Sequence, residues 1–220
     1  MKFKYNVYIT ASDKLSHLLP ETIERFNKYW SSDIQVTIFG YSELTFNLPE
    51  NVNFISMGVD KGSEYWVEDL YKAFSNIEDD YFIWFVDDTW FNAPVELDII
   101  NNICPQYIDE NTNWFGLTIG PSERAHNVVA EYDNFKVIEL KQDAPYRVTC
   151  QANIWNRNRL LYYLSLTGRD SNKYSWPEPG QPWHWELLGG NLALHDGYNV
   201  YAFKDIIPVD IIPDVSRRQQ

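Results

Sequence analysis

Cysteine is scarce in this chain. Cys104 and Cys150 stand alone, without the spacing of a metal clip. Two such residues make no disulfide framework, so a reducing, cytoplasmic setting is the expectation. No run of about 18 apolar residues occurs, which leaves no transmembrane segment. The start, Met1-Lys2-Phe3-Lys4-Tyr5-Asn6, lacks the apolar core of a signal peptide. Positive charge is also short, with 18 Lys and Arg against 31 Asp and Glu and no basic stripe. A nucleic acid polymer is therefore not the expected partner, because phosphate-backbone binding needs clustered cations. The glycine-rich turn Gly-x-Gly-x-x-Gly is missing after the first strand, which removes the ordinary dinucleotide fingerprint. Gly-x-Ser-x-Gly, His-Glu-x-x-His, a Walker-type loop and Cys-x-x-Cys are missing too. Serine hydrolase, zinc protease, P-loop NTPase and thioredoxin readings have no support.

Aromatic residues are abundant, with nine Trp and fifteen Tyr. That exceeds what a core needs and suits a sugar-binding cleft, although packing is the plainer role for most of the Trp. The most informative stretch is Tyr81-Phe82-Ile83-Trp84-Phe85-Val86-Asp87-Asp88. Six bulky apolar residues end abruptly at two carboxylates, the pattern of a strand buried on both faces. Ligands of open α/β sheets bind beyond the carboxyl ends of the strands, where the paired acids would sit. Adjacent carboxylates repel, and a divalent cation relieves the repulsion. Hard oxygen ligands of this kind suit magnesium or manganese, especially with phosphates completing the shell.

Strands are expected over Tyr5 to Ile9, Ile34 to Phe39 and Val52 to Ser56, and in the buried run itself. Pro20 opens a helix striped by Leu19, Ile23, Phe26 and Trp30. A second helix, with Ser63 as its cap, carries Trp66, Leu70, Phe74 and Ile77. This alternation implies an α/β fold, a mainly parallel Rossmann-type sheet flanked by helices. Residues 1 to about 92 form the nucleotide-binding half of a single domain, and 93–220 the acceptor-side half. Later strands are expected over Trp114 to Ile119, Lys136 to Leu140 and, as an alternative to loop, Tyr146 to Ile154. Arg159 to Leu166 reads as a helix and 168–182 as a long loop. Another helix starts at Pro182-Trp183-His184-Trp185-Glu186, and Ser216 to Gln220 is a short polar tail.

Three of these landmarks, in order, resemble nucleotide-sugar glycosyltransferases of the GT-A fold, of the small bacterial and viral type. Phe85-Val86-Asp87-Asp88-Thr89-Trp90-Phe91, followed by Pro94-Val95, looks like the DXD-type metal motif and its flanks. Thr149-Cys150-Gln151-Ala152-Asn153-Ile154-Trp155 resembles a strand-to-helix segment of that family, and Pro182-Trp183-His184-Trp185-Glu186 resembles its Pro-Trp-x-x-Glu element. A strict DXD places its acids two apart, whereas here they are adjacent and Thr89 stands at the third position. At 220 residues the acceptor lobe must be small.

The resemblance implies an inverting, metal-dependent transfer of a sugar from a nucleotide-sugar donor to a hydroxyl of a saccharide or glycan acceptor. Asp88 would hold the cation, manganese or magnesium, against the donor diphosphate. Asp87 would touch the ribose or a metal-bound water. Glu186 would take the acceptor proton as general base, with Trp183 and Trp185 raising its pKa or stacking on sugar. His195 would add a further metal ligand. Gln151 and Asn153 would bond donor hydroxyls, and Thr10 and Asp13 would meet the base and ribose. Each residue has a plainer role: the acids as a wet turn, Glu186 as a first-turn helix acid, His195 as a polar helix end, the amides as structural partners. A non-catalytic carbohydrate- or nucleotide-binding protein on the same fold is the alternative, and an aromatic-rich assembly domain a third.

Overall fold

The computed structural model describes residues 3–118, 126–171 and 179–212. The polar tail and the middle of the expected 168–182 loop lie outside the described residues, as does Ile119, the last residue of one expected strand. The first half follows the order read from the pattern. Strand β1 (Val7–Thr10) leads through a 3₁₀ turn to helix α1 (Leu19–Phe26), which continues as a π-helical turn carrying Trp30. Next come β2 (Val36–Gly40), β3 (Val52–Ser56), α2 (Trp66–Ser75) and β4 (Tyr81–Val86). The second half contributes β5 (Trp90–Phe91), α3 (Leu97–Asn102), β6 (Thr112–Gly116), β7 (His126–Glu131) and β8 (Lys136–Leu140). It closes with β9 (Asn153–Asn156), α4 (Arg157–Leu166), α5 (Pro182–Leu192), β10 (Asn199–Lys204) and β11 (Ile211–Ile212).

Nine strands form one sheet in the order β3-β2-β1-β4-β9-β6-β10-β8-β7, and β11 pairs with β5 in a small second sheet. β3, β2, β1 and β4 run parallel. β9 then enters antiparallel to both β4 and β6. β10 runs parallel to β6, and β8 and β7 follow as antiparallel strands. The sheet is therefore mixed rather than mainly parallel. The helix-linked strands of the first half are parallel because each crossover returns the chain to the same end. The second half has hairpin-like and reversed connections, and these invert strand direction.

Side-chain alternation builds two cores. Ile83 and Phe85 of β4 face α1, joining Val7, Ile9, Ile23, Phe26 and Trp30. Phe82 and Trp84 face the opposite way, toward α2, α4 and α5, with Leu70, Phe74, Trp155, Leu160 and Trp185. Both faces of β4 are thus covered, which explains its unbroken apolar run. Each such side chain contributes on the order of 1.5–3 kcal/mol of burial. Asn156 caps α4 by accepting from the backbone N–H groups of Asn158 and Arg159 at 3.0 and 3.3 Å, an alternative to backbone partners that fixes the strand-to-helix turn. No helix among the described residues is long and apolar enough to cross a membrane.

Arg147 holds the reversed half together. Its side chain is 0% exposed. Its guanidinium donates to the carbonyls of Ala193 (2.8 Å), Leu140 (3.2 Å), Lys141 (3.0 Å) and Tyr198 (2.5 Å), and it lies 3.7 Å from Asp196. One side chain therefore ties the 141–152 segment to the end of α5 and the start of β10. Arg147→Met is expected to leave these carbonyls without partners and to lower stability by about 3–5 kcal/mol. Urea unfolding checks this, and an unchanged midpoint counts against it.

Candidate active site

The strand order places a topological switch between β1 and β4. From β1 the chain moves outward through β2 and β3, then crosses back over α2 to the other side of β1. The crevice at such a switch point is the expected ligand position. Asp87 and Asp88 leave β4 there. The Asp87 backbone N–H donates to the Thr10 carbonyl at 3.0 Å, extending the β1–β4 ladder by one bond. The Thr89 N–H then closes a turn onto the Val86 carbonyl at 3.2 Å. This turn sends the chain into β5, where Phe91 and Trp90 pair with Ile211 and Ile212.

Asp87 and Asp88 differ in surroundings. Asp87 is 4% exposed, and its Oδ2 accepts the backbone N–H of Ser12 at 2.9 Å across the switch point. Burial pushes its carboxyl up to about 7, with the Ser12 N–H opposing and the Asp88 charge adding to the rise. Asp88 is half-buried. Among the described residues, no lysine or arginine is among the groups that shift the Asp87 carboxyl.

A carboxyl raised above its ordinary value favours the folded state fully below about pH 4. That contribution is lost as pH rises through about 7. Asp87→Asn keeps an oxygen for the Ser12 N–H and removes the buried charge. At pH 8 this variant is expected to be more stable than wild type by about 2–4 kcal/mol, or roughly 5–10 °C in Tm. The gap should close near pH 4. Thermal melts at both pH values check the sign, and a destabilised variant at pH 8 contradicts it.

Glu186 arrives from α5. Pro182 starts this helix and Glu186 follows one turn later. Gly189 and Gly190 stand three and four residues further on, so all three share one helix face. A Cβ at Gly189 would lie 3.1 Å from Val148 Cγ1, and one at Gly190 would lie 3.8 Å from Tyr146 Cα. The glycine pair lets the 146–150 segment lie against the helix. As a result the Cys150 backbone N–H donates to Glu186 Oε1 at 2.7 Å. The Cys150 thiol is pushed well above its ordinary value, first by burial and then by the neighbouring acids. Because β9 registers Asn153 with Trp84, the Cys150 segment that Glu186 contacts lies at the carboxyl end of β4, although nearly half the chain separates Asp88 from Glu186.

Beneath the site lies a cluster of tryptophans. Trp84 packs on Trp66, Trp155 and Trp185 at ring centroid distances of 6.1, 6.4 and 5.5 Å, and Trp155 also packs on Trp114. Trp185 is therefore core, turned away from any sugar, and Trp155 is core as expected. Trp183 is 52% exposed on the first turn of α5.

The remaining expected residues divide. Gln151 is exposed, and its Oε1 accepts the Thr118 hydroxyl at 2.9 Å near the carboxyl end of β6. Asn153 is buried, registered against Trp84 and Gly116, with its amide donating weakly to the Thr149 carbonyl at 3.5 Å. Its side chain is therefore a structural partner buried within the sheet. Thr10 is also buried, because β1 runs one residue further than its pattern suggests. Its hydroxyl accepts the Trp84 indole N–H at 3.0 Å, so its side chain is committed to the core rather than to a base or ribose. Asp13 accepts from the Ser42 N–H and hydroxyl at 2.9 and 2.6 Å, tying the loops after β1 and β2 together. It borders a hollow of about 200 Å³ lined also by His17, Leu44 and Phe46.

His195 is not brought to the aspartates. It precedes β10, whose first residue Asn199 registers with Thr112 at the start of β6. β6 reaches the β4 carboxyl end only at Gly116, opposite Asn153 and hence Trp84. His195 therefore lies at the other end of the sheet. There its N–H donates to the Gln142 carbonyl at 3.0 Å in a left-handed turn with φ 57°.

Among the described residues no group of three or more His, Cys, Asp or Glu side chains converges on one point. A cation at Asp88 would draw further ligands from phosphates and water, the habit of magnesium-type sites. The switch-point acids fit that role as adjacent hard oxygen ligands at the carboxyl end of β4; the Asp87 carboxyl is raised first by burial and then by the Asp88 charge. No protein-family model matches the chain, and no curated protein matches it.

Proposed function

We propose that the protein is a metal-dependent, inverting glycosyltransferase of GT-A type, moving a sugar from a nucleotide-sugar donor to a hydroxyl of a saccharide or glycan acceptor. The observation that supports this reading is that Glu186 is held near the carboxyl end of β4: it accepts the Cys150 backbone N–H at 2.7 Å, and Cys150 lies just before β9, whose first residue Asn153 registers with Trp84, three residues before Asp87. One acid lies at the β4 end, where a diphosphate would lie. The other projects from α5, where an acceptor would be deprotonated.

In this reading Asp88 holds manganese or magnesium, which neutralises the charge that grows on the departing nucleoside diphosphate. With a cation bound at Asp88, Asp87 would be favoured in its ionised form and would accept a ribose hydroxyl or a metal-bound water. Glu186 takes the proton of the acceptor hydroxyl as its oxygen attacks the anomeric carbon, and the donor's glycosidic C–O bond breaks on the opposite face. Gln151, exposed at the same end of the sheet, is the amide available to donor hydroxyls. Trp183 is the aromatic available to a sugar face.

A donor screen that measures nucleoside diphosphate release tests the reading. One nucleotide sugar should be turned over with manganese or magnesium and should not be turned over with chelator. No release from any donor, with a range of saccharide acceptors present, contradicts it.

A further inference from the structure

Building on the glycosyltransferase reading, we infer that the acceptor carries an uncharged alkyl aglycone, which lies along the α5 face that presents Glu186. Trp183, Glu186, Leu187 and Gly190 stand at positions i, i+3, i+4 and i+7 of α5, so they share one helix face. Trp183 is 52% exposed and Leu187 40%. Gly190 adds no side chain, and the Tyr146 backbone lies against the helix there, its Cα 3.8 Å from the place of a Gly190 Cβ. Tyr146 is 51% exposed and sits in a left-handed turn with φ 53°. Three large apolar side chains therefore border the candidate base, in a row of roughly 10 Å along the helix axis.

The row has a direction. The 146–150 segment runs antiparallel to α5, with Tyr146 beside Gly190, Val148 beside Gly189 and Cys150 at Glu186. The chain then enters β9 at the carboxyl end of β4. The row thus leads away from the aspartates, from Trp183 at the near end to Tyr146 at the far end. A reacting hydroxyl at Glu186 and a tail along Leu187 fit one molecule. Chemistry selects the kind of tail. Sugar hydroxyls need partners when they leave water, and the Leu187 side chain offers none. Covering it favours hydrocarbon instead. Charge narrows the choice. Glu186 is the single Asp, Glu, Lys or Arg of α5, and the whole chain carries a net charge of −13. An anionic lipid surface would be repelled, whereas an uncharged tail meets no such opposition.

Matched acceptors test this. Octyl glycosides should be used with kcat/KM at least about tenfold above methyl glycosides of the same sugars, and in Leu187→Gln this ratio should fall to within about twofold. Equal use of both by wild type overturns the inference, as does an unchanged preference in Leu187→Gln. A binding measurement needs no turnover, so failure here is distinct from a donor screen without release. In protein labelled with fluorotryptophan, the Trp183 fluorine resonance is identified by its loss in Trp183→Phe. Its shift should saturate with octyl glucoside, kept below its micelle concentration, at a concentration at least about tenfold below that needed with methyl glucoside. No shift with octyl glucoside, or equal concentrations for both glycosides, overturns the inference. A shift that follows protein concentration without any glycoside assigns the face to a second copy of the chain and overturns it as well.

Discussion

Glu186→Gln is expected to reduce kcat by about 10²–10⁴-fold, the range that a positioned general base supplies. Nucleotide binding should stay within about twofold and Tm should stay near wild type. The structure gives the reason for both halves. The Gln amide oxygen still accepts the Cys150 N–H, so the contact between α5 and the 146–150 segment survives. What disappears is a carboxylate able to hold a proton. Retained transfer in this variant places the base elsewhere in the chain. A large fall in Tm means that the carboxylate serves mainly the fold.

Asp88→Asn should act on the other half of the reaction. Loss of a ligand charge is expected to weaken metal-assisted nucleotide binding by roughly 10²-fold, a few kcal/mol of cation-mediated stabilisation. Stability should hardly change, since Asn suits a turn as well as Asp does. Chelating the metal should give wild type the same weak binding and leave Asp88→Asn unaffected. The neighbouring substitution Asp87→Asn is expected to raise Tm at pH 8. Weakened metal-assisted binding without a stability change at Asp88, beside a raised Tm at Asp87, is a sharper expectation than loss of activity alone.

Much of this site was legible in the sequence, and the reasons differ by residue. The run from Tyr81 to Val86 could be read as a doubly buried strand because nothing polar interrupts it, and its end fixed the position of the aspartates. Pro182 marked the start of α5, and Glu186 lies one turn further on, so the expected first-turn position was off by about a turn. The contact of Asp87 with the Ser12 N–H was not legible, since it depends on β1 and β4 being neighbours in a particular register. Thr10 was misread by one residue. With β1 ending at Thr10, strand alternation turns that side chain toward Trp84. His195 was misplaced for a larger reason. β10 was not recognised, so nothing indicated that the chain runs back along β6 from the far end. The bond from the Cys150 N–H to Glu186 was not legible, because it depends on how closely α5 approaches the 146–150 segment. The Gly189-Gly190 pair was the available clue, as paired glycines in an apolar helix mark a close backbone approach.

Arg147 shows the same limit from the structural side. Nothing in its local sequence signals a fully buried guanidinium, because its partners are backbone carbonyls supplied by four different positions. Only the reversed topology of the second half brings them together. The site depends on that topology too, since the segment that Arg147 clamps is the one that delivers Cys150 to Glu186.

Titration calorimetry with a panel of nucleoside diphosphates, with and without manganese, addresses the central claim most directly. One diphosphate should bind wild type at least about tenfold more tightly with the cation than without it, a difference of about 1.4 kcal/mol, and this gain should vanish in Asp88→Asn. Binding that ignores both the cation and Asp88, or no binding by any member of the panel, would contradict the account.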